Sequence, residues 1–243
     1  MIALLRKEIV GFLGSLAGYI VITIFLLALG LMLWVFNSDF NIPDSGYAGI
    51  DQLFILSPWI FMFLIPAITM RSFAEEKRNG TIELLLTQPL NEWQIVFAKY
   101  IAGLLLVLLS VLPTLVYYFS VYSLGSPVGN IDSGASMGSY IGLILIGSLY
   151  VSIGIFASSL TDNQIISFLL SFFLSFFFYI GFDSLAGLPV FKSFEFVLAQ
   201  IGISTHYVSI SRGVVDSRDV IYFLSASMLF LTFTRFKILS RKW

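Results

Sequence analysis

Of the 13 basic and 14 acidic residues in this 243-residue chain, eight fall within residues 71–100: Arg71, Glu75, Glu76, Lys77, Arg78, Glu83, Glu92 and Lys99. Their chemistry is that of contact, not of bond-making. The carboxylates of Glu75, Glu76 and Glu83 surround Leu84, Leu85 and Leu86, and an apolar face rimmed by charge marks an interaction site. The competing role for each carboxylate is solvation and pairing with Lys77 or Arg78, which contributes little at an exposed position. Reactive groups are missing elsewhere. There is no Cys, which excludes disulfides and thiolate metal sites, and the single His, His206, reads as a surface or interfacial residue. No GxxxxGK[ST] phosphate loop occurs. GSLYVSIG at 147–154 is not a nucleophile elbow, so an intramembrane serine protease lacks its parts.

The elements that must hold this charged stretch are apolar. The chain is 58% hydrophobic and 11% charged, against about 25% charged in soluble domains. A helix needs about 20 apolar residues to cross a bilayer, and six windows qualify: 12–36, 53–70, 101–121, 139–160, 164–182 and 220–234. The first is too long for a signal-peptide core and is expected to be retained. Ten of the 13 basic residues flank one end of these spans: Arg6, Lys7, Arg71, Lys77, Arg78, Lys99, Arg235, Lys237, Arg241 and Lys242. The positive-inside rule then puts both termini in the cytoplasm. The predicted fold is an all-α membrane protein of six transmembrane helices, one domain over 1–243. Its loop 71–100 is cytoplasmic and its loop 183–219 lies outside. With a net charge of −1, no basic patch suggests nucleic acid as a partner.

Local signals refine this picture. Residues 1–13 group Arg6, Lys7 and Glu8 between apolar positions, as in an N-terminal interfacial helix or plain charged flanking sequence. In the loop, Asn79-Gly80 ends one short helix, Thr81 is expected to cap a second over 82–87, and Gln88-Pro89 breaks again. Asn91 or its neighbour opens a third helix that runs into the next span. A helix as short as 82–87 is marginal alone, so something should pack on it: a docking partner, which is favoured, or its own bundle and the inner leaflet. Pro58, Pro66 and Pro113 predict kinks. Ser167, Ser171 and Ser175 recur every fourth residue, either as a close-packing face or as a polar translocation stripe, with packing favoured. Loop 183–219 is expected to form a re-entrant or interfacial helix pair, since bare irregular backbone is excluded from lipid. Asp216 or Ser217 should cap the last helix, with Asp219 in its first turn. No span carries an interior charge, which argues against a carrier driven by protons or sodium.

The stretch EEKRNGTIELLLTQPLNEWQIVFAKY resembles the cytoplasmic loop of ABC-2 type ABC transporter permeases. Glu75, Glu76, Gly80, Thr81, Glu83, Leu84, Leu85, Pro89 and Lys99 carry the match. The tail, with Arg212, Gly213 and Asp219, and the opening LLRKEIVGFLGSLAGYI resemble the same family, although Leu16 follows Ser15 where the family often has Pro. The nearest subgroup is the permease subunits of gliding-motility-associated ABC transporters. The resemblance implies a type V exporter-like transmembrane domain in the bacterial inner membrane, paired with a second permease chain, identical or related. It implies a separate ABC ATP-binding subunit that carries ATP and Mg, so this chain has no ATPase site or cofactor of its own. It also makes 75–87 the coupling element that the motor pushes. A rival reading with the same topology is a non-transporting anchor or assembly factor, with an envelope auxiliary protein as its partner.

Overall fold

The computed structural model describes residues 1–240; the side chains of Ala17 and Leu86 fall outside the description, as do Arg241 and Lys242. Helix α1 (Ile2–Leu13) stops at Gly14, and Ser15 opens α2 (Leu16–Trp34). The Ser15 hydroxyl donates to the Phe12 carbonyl at 2.8 Å and accepts from the Gly18 N–H at 3.2 Å, so one side chain closes one helix and caps the next. The chain bends by 65° between the two helices. Helix α3 (Asp51–Thr69) leads through a turn into the short α4 (Ala74–Arg78) and α5 (Thr81–Thr87). Helix α6 (Glu92–Val111) is interrupted by a 3-10 turn at Pro113 and continues as α7 (Leu115–Leu124). The central α8 (Ser133–Leu160) precedes α9 (Gln164–Phe176), which passes through a π-turn into α10 (Phe182–Ala186). Next come α11 (Glu195–Ile201), α12 (Ile203–Ile210) and α13 (Ser217–Leu239).

Among the described residues, five continuous or near-continuous helical runs are long and apolar enough to cross a membrane: Asp51–Arg78, Glu92–Leu124, Ser133–Leu160, Gln164–Ala186 and Ser217–Leu239. The sixth expected span corresponds to α2, which qualifies only together with α1 as a bent pair. Among the described residues there is no strand.

Helix starts follow short polar side chains. Asn91, Asp132, Asn163 and Asp216 each accept from a backbone N–H two or three residues ahead, and Gln94 completes a capping box with Asn91. One expectation is corrected here: Thr81 does not cap α5. Gly80 occupies that position at φ 69, a left-handed conformation only glycine adopts without strain. Thr81 is the first helical residue and donates back to the Glu76 carbonyl at 3.3 Å.

The bundle is built around α8, which is buried over most of its length against α3, α6, α9 and α13. Close approach needs glycine at Gly154, where a Cβ would sit 2.0 Å from Thr69 Oγ1. Ser167, Ser171 and Ser175 are fully buried, and a Cβ on Gly154 would lie 3.2 Å from Ser171 Oγ. The serine face of α9 therefore packs inward, while Leu169, Phe173, Phe176 and Phe177 are exposed. That is the packing face expected of small residues at this spacing.

Helix α3 stays helical through both Pro58 and Pro66. Pro58 has no N–H to give the Phe54 carbonyl, and that carbonyl accepts instead from the buried Tyr207 hydroxyl at 2.7 Å. A residue of the 183–219 segment thus repairs a helix defect 153 positions earlier. The Tyr207→Phe variant should lose about 1–3 kcal/mol, the cost of a buried acceptor left unmade. Unchanged thermal unfolding in detergent would show that the carbonyl finds another donor.

Candidate functional site: an ion-pair cluster beneath a presented helix

Between Thr69 and Ala74 the chain makes a turn, and the freed amides at the start of α4 need partners. Ser158, near the end of α8, supplies them: its Oγ accepts from the N–H groups of Phe73 at 2.9 Å and Ala74 at 3.0 Å, and lies 3.1 Å from the Met70 carbonyl. Next to it, the Lys77 ammonium donates to the Ser159 carbonyl. Helix α4 is thereby fastened to the end of the central helix.

On its other side α4 is tied by charge. Glu76 is buried, with Lys7 of α1 at 2.6 Å and Lys99 of α6 at 3.0 Å. The Lys99 side chain has no exposed surface; it also reaches Glu8 of α1 at 2.7 Å and the Ser72 carbonyl at 2.5 Å, and lies over the Phe73 ring at 4.9 Å. Burial alone would lower the pKa of Lys7, but the hydrogen bond and charge of Glu76, with Glu8 behind them, outweigh it and hold the ammonium above its ordinary value. Four side chains from α1, α4 and α6 thus form one network.

The residues singled out in the loop divide between two environments. Glu75 is half-buried and Glu76 is turned fully inward. Helix α5 is held by Ile82, 3% exposed, and by Leu85 packed against the core. It presents Glu83 and Leu84 to the outside, Leu84 being 66% exposed. Gly80, Thr81 and Pro89 are also exposed, and the Leu86 side chain lies outside the described residues. Sequence reasoning noted Lys99 and the Lys7-Glu8 pair without giving them a role. The signal available was a lysine set between apolar neighbours on a face that points into the bundle.

A cavity of about 540 Å³ opens beside this network, between α1, the 70–73 turn and α6. Its lining combines the polar Arg71, Glu75 and Asn79 with the apolar Phe12, Ile68 and Leu106. At the same end of the bundle Arg235 of α13 covers the Trp93 ring of α6 at 5.0 Å.

A scan against protein-family models matches "ABC-2 family transporter protein" over residues 2–234. The chain belongs to the ABC-2 transporter family. A search of curated proteins finds no match. As an ABC-2 family member this is a multi-pass membrane protein, of a family that supplies the membrane component of ABC transporters. Such components associate with an ATP-binding ABC subunit.

The opposite end of this ABC-2 domain carries a second polar pair and a correction. His206 is buried, not at the surface. Its Nδ1 lies 2.7 Å from the Asp219 carboxylate and its Nε2 3.0 Å from the Gln200 carbonyl, while the ring stacks on Tyr222 at 3.9 Å between centroids. A carbonyl only accepts, so Nε2 carries a proton. Asp219, expected merely to favour the helix dipole, ties α13 to α12 through this ring. Among the described residues no group of His, Asp and Glu converges as a metal site would.

Proposed function

We propose that this chain is the permease subunit of an ATP-driven exporter in the bacterial inner membrane. Six spans lie between cytoplasmic termini, and a second permease chain, identical or related, completes the path. A separate subunit binds ATP and Mg and docks on α5. The observation that supports this most is the construction of α5: Ile82 and Leu85 anchor it, Glu83 and Leu84 are presented outward, and α4 links it to three helices. Motor closure would push on Glu83, Leu84 and the exposed corner of Gly80, Thr81 and Pro89. The load then passes through α4 to Glu76, and from there to Lys99 of α6 and Lys7 of α1. Glu76 acts as the internal connection in this scheme and Glu83 as the outward contact, while Glu75 lines the cavity beside the cluster. The resemblance of the chain to gliding-motility-associated permeases would place the complex in that machinery.

The test is purification of the tagged full chain from its native membrane, with identification of what accompanies it and an assay of ATP hydrolysis. A stoichiometric ATP-binding protein should be recovered from wild type. Its recovery should fall at least roughly tenfold, about 1.4 kcal/mol, in Glu83→Lys combined with Leu84→Asp. Undiminished recovery from the double variant would remove α5 as the docking element. Recovery of envelope proteins without any ATPase would replace the permease by an anchor or assembly factor.

A further inference from the structure

The cavity beside the ion-pair cluster has an unusual charge balance. Three cations line it, Lys7, Arg71 and Lys99, and three anions, Glu8, Glu75 and Glu76. Lys7 and Lys99 are satisfied by Glu8 and Glu76. That leaves Arg71 and Glu75. Both are half-buried, and neither has an ion-pair or hydrogen-bond partner for its side chain among the described residues. They are four residues apart, and the Glu75 N–H lies 3.4 Å from the Arg71 carbonyl. This is the helical spacing that puts two side chains about 5–6 Å apart on one face, yet they do not pair with each other. One unmatched guanidinium and one unmatched carboxylate face a common cavity.

We infer that this cavity holds a zwitterionic phospholipid headgroup, a phosphate ester joined to a primary ammonium, with the phosphate on Arg71 and the ammonium on Glu75. Arginine presents a planar fork that matches a phosphate through two hydrogen bonds. A carboxylate accepts the three N–H donors of a primary ammonium, which a quaternary one lacks. Purely basic pockets at this depth select anionic lipids, whereas a lining of zero net charge selects a ligand of zero net charge. The apolar part of the lining supports a lipid over a soluble ester. Phe12, Ile68, Ala102 and Leu106 supply it, a surface for glycerol and the first methylenes. The volume of about 540 Å³ falls within the range of small-molecule sites, about 300–1,000 Å³. The proposed function enters only in assigning the site to the cytoplasmic leaflet; lipid binding is read on the isolated chain without its motor, so the two can fail separately.

The full chain, purified in mild detergent, would be offered phosphatidylethanolamine, phosphatidylglycerol or phosphatidylcholine, and bound lipid counted by native mass spectrometry. One phosphatidylethanolamine should be retained per chain, with roughly tenfold preference over the other two, the scale of one charge-assisted contact. Arg71→Gln should abolish that retention. Glu75→Gln should erase the preference, leaving phosphatidylglycerol bound as well as phosphatidylethanolamine. Arg78→Gln, exposed and outside the cavity lining, should behave as wild type. If Arg71→Gln fails to fold, the headgroup switch in Glu75→Gln still decides the matter. Equal retention of all three lipids by wild type, or wild-type selectivity in Glu75→Gln, overturns the proposal. Competition by glycerophosphoethanolamine as strong as by the lipid overturns the lipid assignment in favour of a soluble phosphate ester.

Discussion

Replacing Lys99 by methionine should destabilise the protein more than any other single charge change. The substitution keeps the length and the apolar stem, so little cavity is made and the loss is electrostatic. The Lys99 side chain is wholly buried, and its ammonium stands within 3.0 Å of Glu76 and 2.7 Å of Glu8. Removing it leaves Glu76 with the exposed Lys7 and leaves Glu8 with Lys7 at 3.7 Å. Breaking a buried pair by deleting one partner costs about 3–5 kcal/mol, because the remaining charge is desolvated without compensation. The Lys99→Met/Glu76→Gln pair removes charge from both sides, so it should recover part of that loss. The check is thermal unfolding of the four members of the cycle in detergent, where the pair should be less destabilised than the sum of its parts. Strict additivity would mean that Lys99 and Glu76 are neighbours without coupling. A further consequence concerns the α1 helix: since Lys7 and Glu8 are held only through this cluster and adjacent packing, Lys99→Met should also raise proteolysis near residues 1–13.

Gly154→Ala should be the most damaging small change in the spans. A Cβ at this position would lie 2.0 Å from Thr69 Oγ1 and 2.8 Å from Thr69 Cβ. Thr69 cannot swing aside easily, since its hydroxyl donates to the Ile65 carbonyl at 2.8 Å and its residue is buried. Helix α3 must therefore move off α8, at a cost of about 1–3 kcal/mol for an overpacked core. Thr69→Gly removes both obstructing atoms, at about 1 kcal/mol for glycine within a helix. In that background Gly154→Ala should be nearly neutral. If the penalty persists there, the contact between α3 and α8 is not its source. The displacement matters for function because Thr69 is the last residue of α3 before the turn that Ser158 caps. A shift at Gly154 should carry α4 and α5 with it and, under the proposed docking of a motor on α5, lower ATP hydrolysis by the complex.

Much of this architecture is legible in the residues one after another. The apolar windows, the breaks at Asn79-Gly80 and Gln88-Pro89, and the caps at Asn91 and Asp216 depend on neighbours within a few positions, so local propensity suffices to find them. The inward serine face of α9 follows from a spacing of four. The corrections have a common character. Thr81 lost the cap to Gly80 because a left-handed turn was needed at that corner, and a threonine cannot take it as cheaply. His206 looked superficial because its partners, Asp219 and Tyr222, lie on the next helix. Glu76 and Glu75, alike in sequence, differ although both line the cavity: Glu76 meets Lys7 and Lys99, and no cation among the described residues reaches Glu75.

By itself, then, the sequence determined a helical membrane protein, its family and the position of its charged loop, because hydrophobic length, turn chemistry and short motifs are local properties. The tertiary structure alone decided which charges face inward. Pairing depends on which helices meet: α1, α4 and α6 bring together residues up to 91 positions apart, and Tyr207 reaches across 153 to a carbonyl that Pro58 left free. Such contacts arise from packing geometry that no run of neighbouring residues encodes.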